Sequence, residues 1–119
     1  MKTMQDIIWL ESVDSTNNEA KRRAENLPDF AVIASSSQTE GRGQGDHTWL
    51  SETGKNLTFS IFVRHQPDLK AQDQFALSDL TAQSGVEFLS RYDITARVKL
   101  PNDIYIGMDK ICGILIENT

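Results

Sequence analysis

The sequence predicts a domain of the α/β class, of the α+β type, with a mixed, largely antiparallel sheet and helices against one face. A chain of 119 residues is one domain at most, so residues 1–119 are assigned to a single domain. The candidate elements follow the order β-α-β-loop-β-α-β-β-β, and two short connections join the last three strands. Because short connections join antiparallel neighbours, we expect most of the sheet to be antiparallel.

The first part of the chain predicts two strands around a helix. Residues 7–12, IIWLES, form a short apolar run rich in strand formers. Thr16 and Glu19 have the spacing of a capping box, which predicts a helix over about residues 17–26, ending before the next proline. Residues 30–36, FAVIASS, predict the second strand.

The rest of the chain predicts one more strand, a long helix and three closing strands. In residues 56–64 every second residue is apolar, which is the strand pattern: Leu57, Phe59, Ile61 and Val63. Residues 71–92 are the longest helical candidate, and Gly85 interrupts their broad apolar stripe of Phe75, Leu77, Leu80, Val86, Phe88 and Leu89. The last strands are predicted at residues 94–100, 103–107 and 110–118, with a hairpin turn at GMD.

Composition excludes several classes of protein. The formal net charge of −5 argues against broad contact with a phosphate backbone, which normally needs a basic face. No apolar stretch approaches the roughly 20 residues that span a bilayer, and the N-terminus lacks the apolar core of a signal peptide. Cys112, the only cysteine, rules out an internal disulfide. We therefore expect a cytoplasmic protein that binds neither nucleic acid nor membrane.

Two polar segments in the first half could carry chemistry. DSTN, residues 14–17, contains preferred helix caps, and it could also present a ligand site at a helix start. Residues 38–49, QTEGRGQGDHTW, combine three glycines with Arg42, whose guanidinium suits phosphate or carboxylate. This segment matches neither GxxxxGK[ST] nor GxGxxG, because Asp46 takes the place of the third glycine. A plain surface loop is the alternative interpretation.

Two further segments lie near the end of the chain. KLPNDIY places Lys99 before a rigid bend and Asp103 after it, a pair suited either to an anionic substrate or to a solvated turn. KICGILIEN begins with Lys110, which could equally lie in water. His47 and His65 have no second ligand at metal-binding spacing, so no metal cage is expected, and Cys112 is a poor candidate nucleophile.

Taken in order, the motifs resemble those of the biotin–protein ligase catalytic domain. They are DSTN, QxxGRG from Gln38 to Gly43, Trp49, GKNLTFS, KxPND and KxxGIL. The resemblance covers nearly the whole chain and implies the biotin/lipoate ligase fold, which is similar to class II aminoacyl-tRNA synthetases. It also implies the activity: biotin and Mg-ATP give biotinyl-5′-AMP and pyrophosphate, and the biotinyl group then passes to a lysine of a carboxylase's biotin carrier domain.

The resemblance assigns roles to individual residues. Those implied to contact biotin are Ser15, Thr16, Asn17, Gln38, Gly41, Arg42, Gly43, Trp49 and Lys99. Those implied at the nucleotide are Arg42, Asn102, Asp103 and Lys110, and those implied in catalysis are Lys99, Arg42, Asp103 and Lys110. The cations suit a reaction that joins two anions, and a closing loop would protect the mixed anhydride from water.

The sequence also departs from the family pattern. Gln44 and Leu100 stand where relatives often carry arginine and tryptophan, and the loss of an arginine predicts leakage of the adenylate. The family's GIGxNxN-type segment and small C-terminal β-domain are absent, which predicts an incomplete domain. A truncated, non-catalytic biotin-binding module is therefore one alternative, and a lipoate–protein ligase is another. The resemblance also allows a homodimer.

Overall fold

The computed structural model describes residues 7–43, 47–50, 52–64, 70–100 and 102–118. Gln44, Asp46 and His65 lie outside these residues, as does Pro101 of the KLPNDIY segment. The chain divides into two compact units, unit 1 within Met1–Gln66 and unit 2 within Pro67–Asn118.

Unit 1 is a three-stranded sheet with a helix against it. Its elements are β1 (Ile7–Leu10), α1 (Thr16–Arg22), a 3-10 turn (Ala24–Asn26), β2 (Ala31–Ser35) and β3 (Thr58–Phe62). The central strand, β2, runs parallel to β1 and antiparallel to β3. Helix α1 packs against β2 and β3, and the core beneath it is centred on Ile33, which is fully buried.

The apolar alternation of β3 lies on the exposed side of the sheet. Phe59 and Ile61 are exposed, as is Trp9 on β1, whereas Ser60 is buried on the opposite side. Alternate residues of a strand point to opposite faces, so the sequence pattern located the strand without showing which face the helix covers. The face covered by α1 includes the polar Ser60, whose hydroxyl contacts Thr16 and Asn17.

The predicted cap of α1 is wrong by one residue. Ser15, in an extended conformation, is the N-cap, and its Oγ accepts the N–H of Asn18 at 2.9 Å. Thr16 is the first helical residue, and Glu19 binds Arg22 and Arg23 rather than completing a capping box. Both Ser15 and Thr16 are good caps, so spacing alone could not choose between them.

Unit 2 is a second three-stranded sheet with a longer helix. Its elements are a 3-10 turn (Ala71–Asp73), α2 (Gln74–Ser90), β4 (Arg97–Lys99), β5 (Asp103–Ile106) and β6 (Asp109–Gly113). The middle strand, β5, pairs antiparallel with both neighbours. The predicted hairpin is present: Ile106 pairs with Asp109, and Gly107 between them has the positive φ of 59° that such a turn needs.

Helix α2 packs through small residues rather than through its apolar stripe. Ser78 and Ala82 are buried, and a Cβ built on Gly85 would lie 2.8 Å from Cδ1 of Ile104 on β5. The larger members of the stripe, Phe75 and Phe88 among them, stay exposed. Residues at i, i+4 and i+7 share one helix face, so three small residues, Ser78, Ala82 and Gly85, let the helix approach the sheet closely.

The predicted last strand is too long. β6 ends at Gly113, which pairs with Asp103, the first residue of β5. Ile114 still donates its N–H to the Asn102 carbonyl, but beyond that point β5 offers no partner strand. Residues 114–118 are therefore not part of a strand.

The predicted fold class is confirmed. Among the described strands, three of the four pairings are antiparallel and one is parallel. Each helix lies against one face of the sheet in its own unit. No helix in the described ranges has both the length and the apolar character to cross a bilayer.

Candidate functional site

The strands of unit 1 bring separate polar segments to one end of the sheet. β1 and β2 are parallel, so the residues that follow them emerge at the same end. Val13 pairs with Gln38 beyond the strands themselves, and the Thr39 N–H donates to the Val13 carbonyl at 2.9 Å. The DSTN segment and Gln38 are therefore neighbours although Asn17 and Gln38 are 21 positions apart in the sequence.

Four neutral side chains at this end form what we call the polar cluster: Thr16, Asn17, Gln38 and Ser60. The Gln38 Oε1 accepts the Thr16 N–H at 2.7 Å. The Thr16 hydroxyl lies 2.7 Å from the Ser60 hydroxyl, which also donates to Asn17 Oδ1. Thr16 and Ser60 are both buried. The cluster is thus a fixed, uncharged network of hydroxyl and amide groups.

The glycine-rich segment begins beside the cluster and folds back on itself. Its two arms pair, since the Trp49 N–H donates to the Gly41 carbonyl at 2.9 Å and the Gly43 N–H donates to the His47 carbonyl at 2.8 Å. Gly41 is buried, and a Cβ there would lie 2.5 Å from the Trp49 carbonyl oxygen and 2.8 Å from Gln38 Nε2. No other residue fits position 41 without displacing the opposite arm.

Arg42 extends from this segment to the first turn of α1. Its Nη1 donates to Asn18 Oδ1 at 2.9 Å. Ser15, predicted as a biotin contact, is buried and uses its hydroxyl as the helix cap. Trp49 is half-buried.

Unit 2 carries a second set of candidate residues on one face of its sheet. Arg97 pairs with Tyr105 and Lys99 with Asp103, while Val98 and Ile104 alternate with them and face α2. The side chains on the face away from α2 are Arg97, Lys99, Asp103 and Tyr105, joined by Lys110, and we call this set the charged face. The three cations exceed the single carboxylate, so the set is net positive.

Specific contacts order the charged face. Lys110 Nζ lies 2.9 Å from Asp103 Oδ1. The Tyr105 ring receives two cations, with Lys99 Nζ 5.1 Å and the Arg97 guanidinium 5.2 Å from its centroid. Lys99 is exposed, so it can meet an anion in solution.

Asn102 lies inside unit 2 rather than on the charged face. It is buried, and its side-chain amide donates to the Ile114 carbonyl. Its visible role is to hold the chain after β6 against the start of β5. A nucleotide contact for Asn102 stays a prediction.

The described residues offer neither a reactive thiol nor a clustered metal site. Burial, and after it the nearby Asp103 carboxylate, raises the pKa of the Cys112 thiol, which disfavours the thiolate. Within the described ranges, no group of three or more His, Cys, Asp or Glu side chains could hold a metal ion.

Each unit contains some of the predicted site residues. Their roles in binding and catalysis stay predictions. Four residues at these sites were not predicted from the sequence: Asn18 and Ser60 in unit 1, and Arg97 and Tyr105 in unit 2. The apolar alternation of β3 contained a signal for Ser60, since it is the polar residue facing the other way. Arg97 and Tyr105 follow from alternation with Lys99 and Asp103 once the strand register is known.

Comparisons with known proteins agree with the motifs. The model of the biotin/lipoate A/B protein ligase family matches residues 9–119. The bifunctional ligase/repressor BirA of Bacillus spizizenii is 32% identical over 115 residues, covering 95% of this chain and 35% of that protein.

Solved structures give the same result. The biotin protein ligase of Aquifex aeolicus, solved with biotin and ATP, has a TM-score of 0.80 and 30% identity, covering 98% of this chain and 48% of that one. The biotin protein ligase of Leishmania major, solved with biotinyl-5-AMP, has a TM-score of 0.67 and 26% identity, covering 98% and 53%. The chain spans between about a third and about half of these relatives. With a family model matched along nearly its whole length, the chain belongs to the biotin/lipoate A/B protein ligase family.

Proposed function

We propose that this chain belongs to the catalytic domain of an ATP-dependent biotin–protein ligase. Biotin and ATP would give biotinyl-5′-AMP and pyrophosphate, and a lysine of a carboxylase's biotin carrier domain would then receive the biotinyl group. The polar cluster is the observation that carries this proposal. It joins residues of three motifs, DSTN, QxxGRG and GKNLTFS, and related ligases have been solved with biotin, ATP and biotinyl-5-AMP.

The polar cluster matches the chemistry of biotin's ring system. That ring is an uncharged cyclic urea with two N–H donors and one carbonyl acceptor. Thr16, Asn17, Gln38 and Ser60 offer hydroxyl and amide groups of both kinds, and none is charged. Among the described residues, every buried side-chain nitrogen or oxygen has a hydrogen-bond partner, so the cluster is already ordered. Ordered groups lose little conformational entropy when a ligand replaces part of their network. Ser15 would support the cluster as the helix cap.

The charged face and Arg42 suit the phosphate chemistry. In the first step, biotin's carboxylate oxygen forms a bond to the α-phosphorus, and the bond from that phosphorus to the bridging oxygen breaks as pyrophosphate leaves. Negative charge builds up when these two anions react, and the cations proposed to stabilise it are Lys99, Lys110 and Arg42. Asp103 would orient Lys110 through their 2.9 Å ion pair. Magnesium would arrive as the ATP complex.

The second step needs a protected intermediate. The carrier lysine's neutral amine nitrogen attacks the biotinyl carbonyl carbon and forms a C–N bond, the C–O bond to phosphate breaks, and AMP and one proton of the amine leave. Water would compete for the same carbon, so the paired arms around Gly41 and Gly43, with Trp49, would cover the adenylate. The use of ATP and the single cysteine agree with a cytoplasmic location. We also propose that Asn102 contacts the nucleotide and that the protein forms a homodimer.

The decisive experiment compares two carboxylic acids. The chain is incubated with Mg-ATP and either biotin or lipoate, pyrophosphate is measured, and a biotin carrier domain is then added. We expect pyrophosphate with biotin and one biotinylated lysine on the carrier. Biotin binding without pyrophosphate would indicate a non-catalytic binding module, and pyrophosphate with lipoate alone would indicate a lipoate ligase.

A binding experiment examines the polar cluster directly. Thr16→Val keeps the side-chain shape and removes the hydroxyl that contacts Ser60 and Gln38. We expect biotin affinity, measured by calorimetry, to fall by about tenfold or more because a buried hydrogen-bond network loses a member. Thr81→Val is the matched control, since the exposed Thr81 hydroxyl only donates to the Leu77 carbonyl of its own helix. Equal affinities in both variants would exclude the cluster as the biotin site.

A further inference from the structure

A series of hydrogen bonds between charged and amide side chains ends on Arg42. The guanidinium of Arg22 donates to both oxygens of Asp14, at 3.0 Å and 2.6 Å. Asn18 Nδ2 donates to Asp14 Oδ2 at 3.0 Å. Arg42 Nη1 then donates to Asn18 Oδ1 at 2.9 Å. The order along the series is Arg22, Asp14, Asn18 and Arg42.

The two ends of the series fix the orientation of the Asn18 amide. An ionised carboxylate only accepts hydrogen bonds, so the NH₂ group of Asn18 must face Asp14. A guanidinium only donates, so the amide oxygen must face Arg42. Flipping the amide would oppose donor to donor at Arg42 and acceptor to acceptor at Asp14. The amide therefore has one favourable orientation, and that orientation presents an acceptor to Arg42.

Asp14 is itself held in its charged form. Hydrogen bonds from Arg22, and next from Asn18, keep the pKa of the Asp14 carboxyl well below its usual range. The bidentate contact from Arg22 also fixes the plane of the carboxylate.

Asn18 connects the glycine-rich segment to the polar cluster. It follows Asn17 directly and lies on the same first turn of α1 as Thr16. Its backbone N–H donates to the Ser15 cap at 2.9 Å, and its side-chain amide binds Asp14 through nitrogen and Arg42 through oxygen. A cation from the segment is thereby attached to the turn that holds the cluster.

We propose that Asn18 is a positioning residue that holds the Arg42 guanidinium at the first turn of α1 before substrate arrives. The proposal rests on the proposed function for the step that Arg42 assists. An arginine side chain is long and loses much rotamer freedom when it is ordered. With Arg42 already held near the cluster, less of that cost falls on adenylate binding. Asp14 orients the Asn18 amide, and Arg22 in turn orients the Asp14 carboxylate.

Trypsin cleavage after Arg42 measures the contact without relying on activity. A held guanidinium cannot enter the protease's binding pocket, so Asn18→Ala should speed cleavage at this bond by about fivefold, the scale of one hydrogen bond to a charged group. Mass spectrometry follows the peptide that ends at Arg42. The matched control is Asn26→Ala, an exposed asparagine in the turn after α1, which should leave the rate unchanged.

Asn18→Asp separates the contact with Arg42 from helix stability. It opposes acceptor to acceptor at Asp14 but keeps an oxygen for Arg42 and adds a negative charge that attracts the guanidinium, so we expect cleavage slower than in Asn18→Ala. Cleavage as fast as in Asn18→Ala would overturn the proposal. Loss of the native circular dichroism spectrum in both variants would also overturn it, because Asn18 would then be needed for folding alone.

A double-mutant cycle tests whether Asn18 affects retention of the adenylate through Arg42. Asn18→Ala should speed release of biotinyl-adenylate by about fivefold in the Arg42 chain and have no effect in an Arg42→Ala chain. An equal effect in both backgrounds would show that Asn18 does not act through Arg42. If the parent chain forms no adenylate, the proposed function fails, and the cleavage result still decides whether Asn18 holds Arg42.

Discussion

The polar cluster of unit 1 and the charged face of unit 2 differ in burial and in charge. Thr16 and Ser60 in the cluster are buried and neutral, and they are bound to one another. Lys99 and Lys110 on the charged face are exposed cations. One set is organised like part of a protein core, and the other like a surface that still faces water.

This difference indicates that the polar cluster is suited to recognising a neutral ligand and the charged face to stabilising negative charge. A neutral ligand is selected by hydrogen bonds with fixed geometry, so its site must be ordered beforehand. Exposed cations are screened by water and interact much more strongly once water is excluded. We therefore expect changes in unit 1 to alter binding and folding together, whereas changes on the charged face should alter the chemical step alone.

Lys99→Ala is expected to give the largest effect. Removing a cation from the centre where two anions react should lower the rate of pyrophosphate release by about 100-fold. Stability should change by less than about 1 kcal/mol, because the exposed Lys99 makes a cation–π contact with Tyr105 of the kind that contributes little at a surface. Pyrophosphate release and thermal unfolding measure the two quantities.

Lys70→Ala is the control for this prediction. Lys70 is an exposed lysine of the same unit, outside the charged face, and its loss should change neither rate nor stability. A large loss of stability in Lys99→Ala would show that the charged face, like the polar cluster, is needed for folding. Full activity in Lys99→Ala would remove Lys99 from the proposed chemistry.

Sequence patterns predicted the order of elements because each pattern depends on near neighbours. The strand and helix candidates all appear, and the GMD hairpin forms where a glycine with positive φ is needed. The faces of the elements were harder to predict. Burial on α2 falls on Ser78 and Ala82 because the helix approaches the sheet closely there, which is a property of tertiary packing. The pattern of apolar residues on α2 contains no information about that approach.

The candidate site shows the same limit. The DSTN segment and Gln38 were predicted together, through the motifs and not through any local pattern. Ser60 was missed because it joins the cluster from a third strand, and its contact with Thr16 depends on the antiparallel register of β2 and β3. Asn18 was missed because its partner, Arg42, is 24 residues away in the sequence.

Two alanine substitutions at glycines compare the units directly. In Gly41→Ala the new methyl group would meet the Trp49 carbonyl oxygen at 2.5 Å, and backbone cannot move aside without breaking the pairing of the arms. We expect a loss of about 2 kcal/mol in the free energy of unfolding, together with weaker biotin binding. Chemical denaturation and calorimetry measure the two effects.

Gly85→Ala is the matched substitution in unit 2. Its methyl group would meet Cδ1 of Ile104 at 2.8 Å, which is the end of a flexible side chain. Alanine also favours the helix by about 1 kcal/mol, which offsets the cost of moving Ile104. We expect stability within about 1 kcal/mol of the parent and unchanged biotin binding. Equal losses of stability and of biotin binding in the two variants would show that the close contact of Gly41 with Trp49 is not specifically required.

The smallest expected effect is a change in acid sensitivity from Asp14→Asn. Hydrogen bonds from Arg22, and next from Asn18, hold the pKa of Asp14 below its ordinary value in the folded protein. A carboxyl whose folded pKa is lowered stabilises the protein above its unfolded pKa, and this contribution is lost as the pH falls below about 4. The asparagine variant should therefore melt at a lower temperature than the parent near neutral pH, and the two melting temperatures should converge in acid.

Asp109→Asn provides the comparison from unit 2, since Asp109 is an exposed carboxylate on β6. Its melting temperature near neutral pH should equal that of the parent, because an exposed carboxylate contributes little to stability. Some acid sensitivity should remain in Asp14→Asn, because Arg23 and Arg22 also lower the pKa of Glu19. A gap between parent and Asp14→Asn that stays constant with pH would mean that Asp14 stabilises unit 1 through its shape and not through its charge.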